Sequence, residues 1–235
     1  MAARWHPRPC HEVHLIMRNA LDLAIQRQLI VRNVALAVHS PRRRGGGTTI
    51  ARIWSAPELA DFLAFARTQR LFPALHLTAH TGMRRGEIVG LKWGDLNHDS
   101  RRLSIHRTLQ NLEGRPVEFG AKTRTSRRSV ELDETTAQVL RRWRRRLQHD
   151  GLPHGPDDWM FCNAAGRFLN PESVSLLFSC LVARSGLPKI RFHDLRHTHA
   201  SLLVAHGTPI KVVTERSATP TRPSPCTPTS TCSPA

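Results

Sequence analysis

Apolar side chains recur at close to helical spacing over residues 14–31, where Leu15, Ile16, Ala20, Leu21, Leu23, Ala24, Leu29 and Ile30 predict one amphipathic helix. Nothing before it in the chain offers a second face to pack on. The stretch PRRRGGG at 41–47 then joins a helix breaker, a charge run and three glycines, which is linker chemistry and marks a boundary. Beyond it, Ser55-Ala56-Pro57-Glu58 reads as a capping box, opening a helix through about Arg67. Helical spacing continues over 71–80 and 85–92. The period then changes to alternation at Leu103, Ile105 and Arg107, with a turn at Glu113-Gly114 and extended segments near 116–119 and 128–132. This predicts one small antiparallel sheet. Further helices fit 134–148, 171–184, with Asn170 as cap and Pro171 at the first helical position, and 194–206.

The fold class that follows is mainly α with a small antiparallel β-sheet (α+β). Its expected organisation is a helical fragment at 1–40, a linker at 41–50, a main domain at 51–216 and a tail at 217–235.

Composition narrows the partners. Thirty-five Lys and Arg against eighteen Asp and Glu give a formal net charge of +17, and arginine dominates, the residue suited to forked phosphate contacts. Nucleic acid is the natural partner. The same excess follows from GC-rich codon usage, and charge alone does not separate the two. No run of about 18 apolar residues is present and the arginine-bearing start lacks a secretory apolar segment, so a cytoplasmic location with no membrane partner is expected. The five cysteines form no C-x-x-C pair, which argues against a disulfide framework or a metal site. Cys162 and Cys180 read as core thiols. In the 134–148 helix, five arginines around Trp143 cover more than one face, a solvated surface with the indole turned inward.

Three motifs carry candidate chemistry. In TGMRRGE, Thr81 and Gly82 turn the chain so that Arg84 opens the next helix and Glu87 shares its face. Alone, this is an ordinary surface pair. Lys122 lies in K-T-x-x-S-x-R-x-V-x-L, on a hairpin turn ahead of a strand; a single lysine in a basic chain is usually just solvated. His193 and Arg196, in H-D-L-R, sit three apart at a helix start and share a face, a weak signal among fourteen histidines. His197 and His199 read as packing or surface groups. Taken together and in this order, the motifs supply all that metal-free phosphodiester cleavage needs except the nucleophile. Two arginines grip the non-bridging oxygens, a lysine protonates the leaving 5′ oxygen, and a histidine exchanges a proton with the nucleophile.

Over roughly residues 51–216 these motifs and their flanks resemble the catalytic domain of the tyrosine recombinases, the phage integrase family, and residues 11–40 look like the last helix of that family's core-binding domain. The resemblance implies Arg84, Lys122, His193 and Arg196 as catalytic groups and Glu87 as support. It also implies DNA contact by the neighbouring Arg85, Arg124, Arg127 and Arg128. The implied reaction uses a tyrosine to form a 3′-phosphotyrosine and a free 5′-hydroxyl on double-stranded DNA, in a tetramer, with no metal and no other cofactor.

The chain departs from this pattern in one decisive respect, because it contains no tyrosine. After Arg216 the family continues with a leucine-glycine-histidine step and a tyrosine-bearing helix. Here SATPTRPSPCTPTSTCSPA follows, fourteen of whose nineteen residues are Ser, Thr or Pro, a composition that builds no packed helix. Back-translated with one base added before Ser217, the same stretch can read LGHANPAFTMHTYQHVLPG, close to the family ending, with the tyrosine codon in the register of Thr229. A one-base deletion near Ser217, either in the gene or introduced in its sequencing, is therefore expected, with the catalytic tyrosine absent from the chain as written. A similar shift through residues 4–10 permits LAPKTV before His11. The chain reads as a truncated, frameshifted recombinase, inactive for want of a nucleophile. The alternatives are a DNA-binding remnant that interferes with an intact recombinase, and a decayed gene's non-functional product.

Overall fold

The capping box at the start of the main domain forms as its residues dictate. Ser55 Oγ accepts from the Glu58 amide, the Glu58 carboxylate accepts from the Ser55 amide at 2.7 Å, and helix α2 runs Ala56–Ala66. The structure, a computed structural model, describes residues 7–38, 52–113, 115–120 and 128–208. They divide into two compact units, one ending at Ile50 and one beginning at Ala51. The expected linker at 41–50, the 4–10 shift up to His6 and the 217–235 tail lie outside the described residues.

In the first unit α1 spans Pro7–Gln26, so the helix expected at 14–31 starts earlier and stops sooner. It stops because Gln28 takes a left-handed conformation (φ 58°) and the Leu29 amide donates back to the Ala24 carbonyl at 2.9 Å. This closure satisfies the last free carbonyls of the helix. Asn33 then ties the following turn to α1, donating to the Arg18 carbonyl at 2.9 Å and to Asp22 at 2.6 Å. Leu15, Ile16, Met17 and Leu23 remain exposed.

In the second unit α3 (Phe72–Thr81) ends at Gly82, whose φ of 61° closes the helix in the left-handed region that glycine favours. The short α4 (Arg85–Val89) follows, capped by Gly90 and ending three residues before the expected stop at 92. The single expected sheet is in fact two. Strands β1 (Leu96–Asn97), β2 (Arg102–Ile105) and β5 (Arg128–Glu131) form one antiparallel sheet in the order β1-β2-β5, and among the described residues β3 (Arg107–Leu112) pairs only with β4 (Arg115–Gly120). The ladder breaks at His106, where buried Asp95 accepts from the His106 ring at 2.8 Å and from the Arg107 guanidinium. Asp95 thereby swings the hairpin out of the line of β2. The turn expected at Glu113 is present, with Glu113 at φ 51° and Leu112 opposite Arg115, the geometry of a two-residue hairpin.

Helices α5 (Glu134–His149), α6 (Pro171–Ser185) and α7 (Asp194–Ala205) follow. Asn170 caps α6 as expected, accepting from the Glu172 amide at 2.9 Å. Trp143 of α5 is buried and donates to the Met160 carbonyl at 2.7 Å. Cys162 is buried, but Cys180 is exposed, contrary to its reading as a core thiol, because Phe178, Leu181 and Val182 take the inner face of α6. An aromatic cluster knits the ends of the unit together. Trp54, Phe62 and Phe178 meet at ring-centroid distances of 4.8, 5.9 and 5.2 Å, and Phe178 meets Phe192 edge-on at 5.6 Å. Trp54 also donates its indole N–H to the Pro188 carbonyl and its amide to Thr198 Oγ1, which fixes α7 beside the start of the domain.

Candidate active site

The site is built around the turn between α3 and α4. Arg84 caps α4, and Glu87 in the first turn of that helix accepts both from the Arg84 amide at 2.8 Å and from its guanidinium at 2.9 Å. The shared face expected of Arg84 and Glu87 is realised. Glu87 is buried and carries a second partner, for Arg128 at the start of β5 donates to it through both terminal nitrogens, at 2.9 and 2.8 Å. One carboxylate thus holds two arginines from different elements, in the forked geometry that makes such pairs strong. Burial works to raise the Glu87 pKa, but the hydrogen bonds and charge of Arg128, with the amide and charge of Arg84, outweigh it and hold it below its ordinary value.

Arg196 reaches the same turn from the first half of α7. It is buried and donates to the Gly82 carbonyl. Burial first, and then the positive charges of Arg84 and Arg128, lower its pKa to about 10, with Glu87 acting in the opposite sense. It stays cationic at neutral pH. Two guanidiniums held this close, one buried and one partly exposed, make a concentrated positive site suited to a phosphate diester. His199, one turn further along α7, accompanies Arg196: its Nδ1 lies 3.0 Å from the Ala79 carbonyl, and its ring packs so tightly on Gly82 that an added Cβ there would lie 2.7 Å from it. Gly82 therefore serves both the left-handed turn and this contact. The turn itself was legible in the Thr81-Gly82 pair; its clasp by Arg196 and His199 was not, since those residues lie more than a hundred positions on.

His193 stands at the N-cap of α7, exposed, its ring meeting His197 edge-on at 5.1 Å. Partial burial, then the charges of His197, Arg196 and Arg191, lower its pKa against the opposing pull of Asp194. The neutral ring is the form that accepts a proton. Asp194 is itself occupied by Arg191, accepting from its amide at 2.8 Å and its guanidinium at 3.0 and 3.1 Å. Arg85 turns away from this group, donating to Ser175 of α6 at 2.9 Å. The structure thus brings together Arg84, Glu87, Arg128 and Arg196, with His193 close enough for its charge to be coupled to Arg196. Lys122, Arg124 and Arg127 lie outside the described residues. Among the described residues no three His, Cys, Asp or Glu side chains converge as metal ligands, and no helix is long and apolar enough to cross a membrane.

The mostly helical domain with small antiparallel sheets has the fold of solved tyrosine recombinase and integrase catalytic domains. The sequence profile of the phage integrase family matches residues 54–218, and the chain belongs to that family. It is 26% identical over 178 residues to a tyrosine recombinase XerC-like protein of Caldanaerobacter subterraneus subsp. tengcongensis, covering 69% of this chain and 46% of that protein. It is 27% identical over 175 residues to the ICEBs1 integrase of Bacillus subtilis, covering 70% and 46%. The chain thus spans about half the length of these relatives. Among solved structures, the Tn1549 transposon integrase in complex with a circular intermediate DNA superposes with a TM-score of 0.73 at 20% identity, over 88% of this chain and 69% of that one. A lambda integrase dimer bound to a core site superposes with a TM-score of 0.58 at 19% identity, over 87% and 69%.

Proposed function

We propose that residues 51–216 are the phosphate-gripping catalytic domain of a site-specific DNA recombinase or integrase of a mobile element, acting on double-stranded DNA. The observation that carries this is the convergence of Arg84 and Arg196 on the Gly82 turn, with buried Glu87 bracing Arg84 against Arg128. In this reading Arg84 and Arg196 bind the two non-bridging oxygens of the scissile phosphate. His193 takes or returns the proton of the attacking hydroxyl, and Lys122 protonates the departing 5′ oxygen. Arg85, Arg124 and Arg127 steady the flanking backbone, whereas Arg128, expected from the sequence to do the same, is held by both terminal nitrogens on buried Glu87 and serves as its brace. The reaction needs neither metal nor other cofactor, and duplex DNA as partner is supported by the integrase neighbours solved bound to DNA.

The nucleophile is the missing part. No tyrosine stands anywhere in these 235 residues, so a second identical copy supplies none, and an aliphatic hydroxyl such as that of Thr229 is a far weaker nucleophile than a phenol of pKa about 10. We infer that the reading frame breaks near Ser217. Support comes from the family profile, whose match ends at residue 218, and from the tail's shifted reading as a tyrosine-bearing ending. The test is to resequence the gene across codons 205–235 and to present this polypeptide with a nicked suicide DNA substrate. The expected result is salt-sensitive binding with no covalent product from the chain as given, and covalent trapping once one base is restored. A covalent adduct formed by the chain as given would overturn the inactive reading.

A second reading is favoured by the intact Arg84-Glu87-Arg128 framework: a DNA-binding remnant that poisons an intact recombinase by entering its tetramer. Titrating this chain into a reaction of an intact recombinase would then lower recombination more than an Arg84→Gln variant does at equal concentration.

A further inference from the structure

The arginine run of α5 is not evenly solvated. Arg141, Arg144 and Arg145, with Gln148 of the same helix and His98 and His154 from two loops, line a cavity of about 470 Å3. Among the described residues no carboxylate lines it. Arg144 is fixed on three sides: it donates through Nε and Nη2 to the His154 carbonyl at 3.1 and 3.0 Å, it reaches His98 Nε2 at 3.3 Å, and it lies over the Trp93 ring at 5.2 Å. These contacts use three of its five N–H donors and leave two. His154 donates its Nδ1 hydrogen to the Leu152 carbonyl at 2.9 Å when neutral. Arg141 pairs with Glu134, which is shared with Arg101 on the exposed surface. Among the described residues no carboxylate pairs with Arg144 or Arg145.

The local field agrees with this geometry. Burial and the charges of Arg144 and Arg141 together depress the His98 pKa, with only Asp99 opposing. A rigid guanidinium with spare donors, two further arginines and two imidazoles facing one cavity is a preorganised receptor for a compact dianion.

We propose that this pocket binds a phosphate group, at a place distinct from the Arg84–Arg196 site. The strand register separates the two. Ile105 lies opposite Arg128, the partner of Glu87, whereas Arg102 lies opposite Asn97 and Glu131 at the other end of the same sheet, and His98 follows Asn97. Three residues of strand alone span about 10 Å. The phosphate comes either from a DNA backbone outside the cleavage position or from a free phosphorylated compound, and both present the same oxygens to Arg141, Arg144 and Arg145.

The test uses the full 235-residue chain and two probes. Pyrophosphate is titrated while the His98 ring resonances are followed by NMR, and a non-specific 30-base-pair duplex is bound over a salt series by fluorescence anisotropy. The pocket variant is Arg141→Gln with Arg145→Gln. The control is Arg67→Gln with Arg142→Gln, which removes the same charge from a different face. Pyrophosphate is expected to move His98, with affinity at least tenfold weaker in the pocket variant and little changed in the control. If a DNA backbone supplies the phosphate, the slope of log K against log salt also falls by about one to two relative to the control. An unchanged slope with pyrophosphate binding still lost assigns the pocket to a free phosphorylated compound. Equal pyrophosphate affinity in pocket and control variants, or no response at His98, overturns the proposal. Should the double variant fail to fold, Arg145→Gln alone, at an exposed position, is read in the same way.

Discussion

Glu87 shows how a single residue can set the geometry of a site without touching its ligand. Its two oxygens accept from Arg84 and Arg128 and from the Arg84 amide, so its carboxylate is shared by the arginine proposed to hold the phosphate and the arginine that starts β5. Glu87→Gln keeps the shape, but its NH2 faces guanidinium donors and leaves two buried or half-buried cations without a counter-charge. The expected cost is about 3 kcal/mol, read as a lower denaturant midpoint with an unchanged slope. The pH dependence follows from its depressed pKa. The carboxylate's contribution is full above the ordinary glutamate value of 4.5 and is lost as pH falls through the lower folded value. Acid unfolding of the variant should therefore lose part of its steepness below pH 4.5, which circular dichroism across an acid series checks. The same residue shows what the sequence made legible. The i, i+3 spacing gave the Arg84–Glu87 contact directly, because a helix start leaves no other geometry, whereas Arg128 lies 41 positions away and no local pattern points from it to Glu87.

At the scale of elements, the helices were legible from caps and spacing, and the failures fall where tertiary contacts override local period. Ser55-Glu58 and Asn170 announced their helices because the capping groups lie within three residues of what they cap. The split into two sheets was hidden because it depends on Asp95 reaching His106 and Arg107 from outside the strands. The packing of α4 on β3 was equally hidden, although its requirement is simple. A Cβ on Gly86 would lie 2.6 Å from Thr108 Cγ2 and 2.8 Å from the Leu109 carbonyl oxygen. Gly86→Ala is expected to cost about 1–3 kcal/mol, and Thr108→Ser in the same chain should recover only part of it, since the backbone oxygen remains; thermal melts of the two variants decide this. The seam between α3 and α5 carries a different sensitivity. His76 is buried, lies 3.2 Å from Thr136 Oγ1 and stacks on His80 at 4.0 Å. Burial and then the charge of His80 lower its pKa to about 4 from 6.5. The unfolded chain therefore takes up the proton first, so the contribution of His76 is full above pH 6.5 and is lost as pH falls toward 4. The loss is about 3 kcal/mol, and His76→Gln should flatten the stability profile over that window.

For the molecule as a whole, the governing quantity is a charge of +17 distributed over many elements. Arginines stand on α4, on β2 and β3, along α5 and at the start of α7. Among the described arginines only a few, such as Arg107 and, at the start of β5, Arg128, are spent on buried carboxylates. Cations spread in this way contact phosphates irrespective of sequence, and each phosphate neutralised releases condensed counterions, so binding should be steep in salt and poor in discrimination. If six or more phosphates are contacted, affinity for a 30-base-pair duplex should fall by about a thousandfold between 50 and 200 mM salt. Arg84→Gln should lower the slope by about one, in proportion to its single contact. Duplexes of unrelated sequence should bind within about tenfold of one another, measured by competition at fixed salt. The contrast between variants is informative because Arg84 counts once toward affinity but is one of two groups proposed to hold the scissile phosphate. A modest loss of binding in Arg84→Gln, together with complete loss of covalent trapping in the frame-restored chain, would place it at the reacting phosphate. Tight, sequence-selective binding by the 235-residue polypeptide at physiological salt would show instead that base edges are read by contacts beyond this charge, and the account of a mainly electrostatic DNA surface would have to be abandoned.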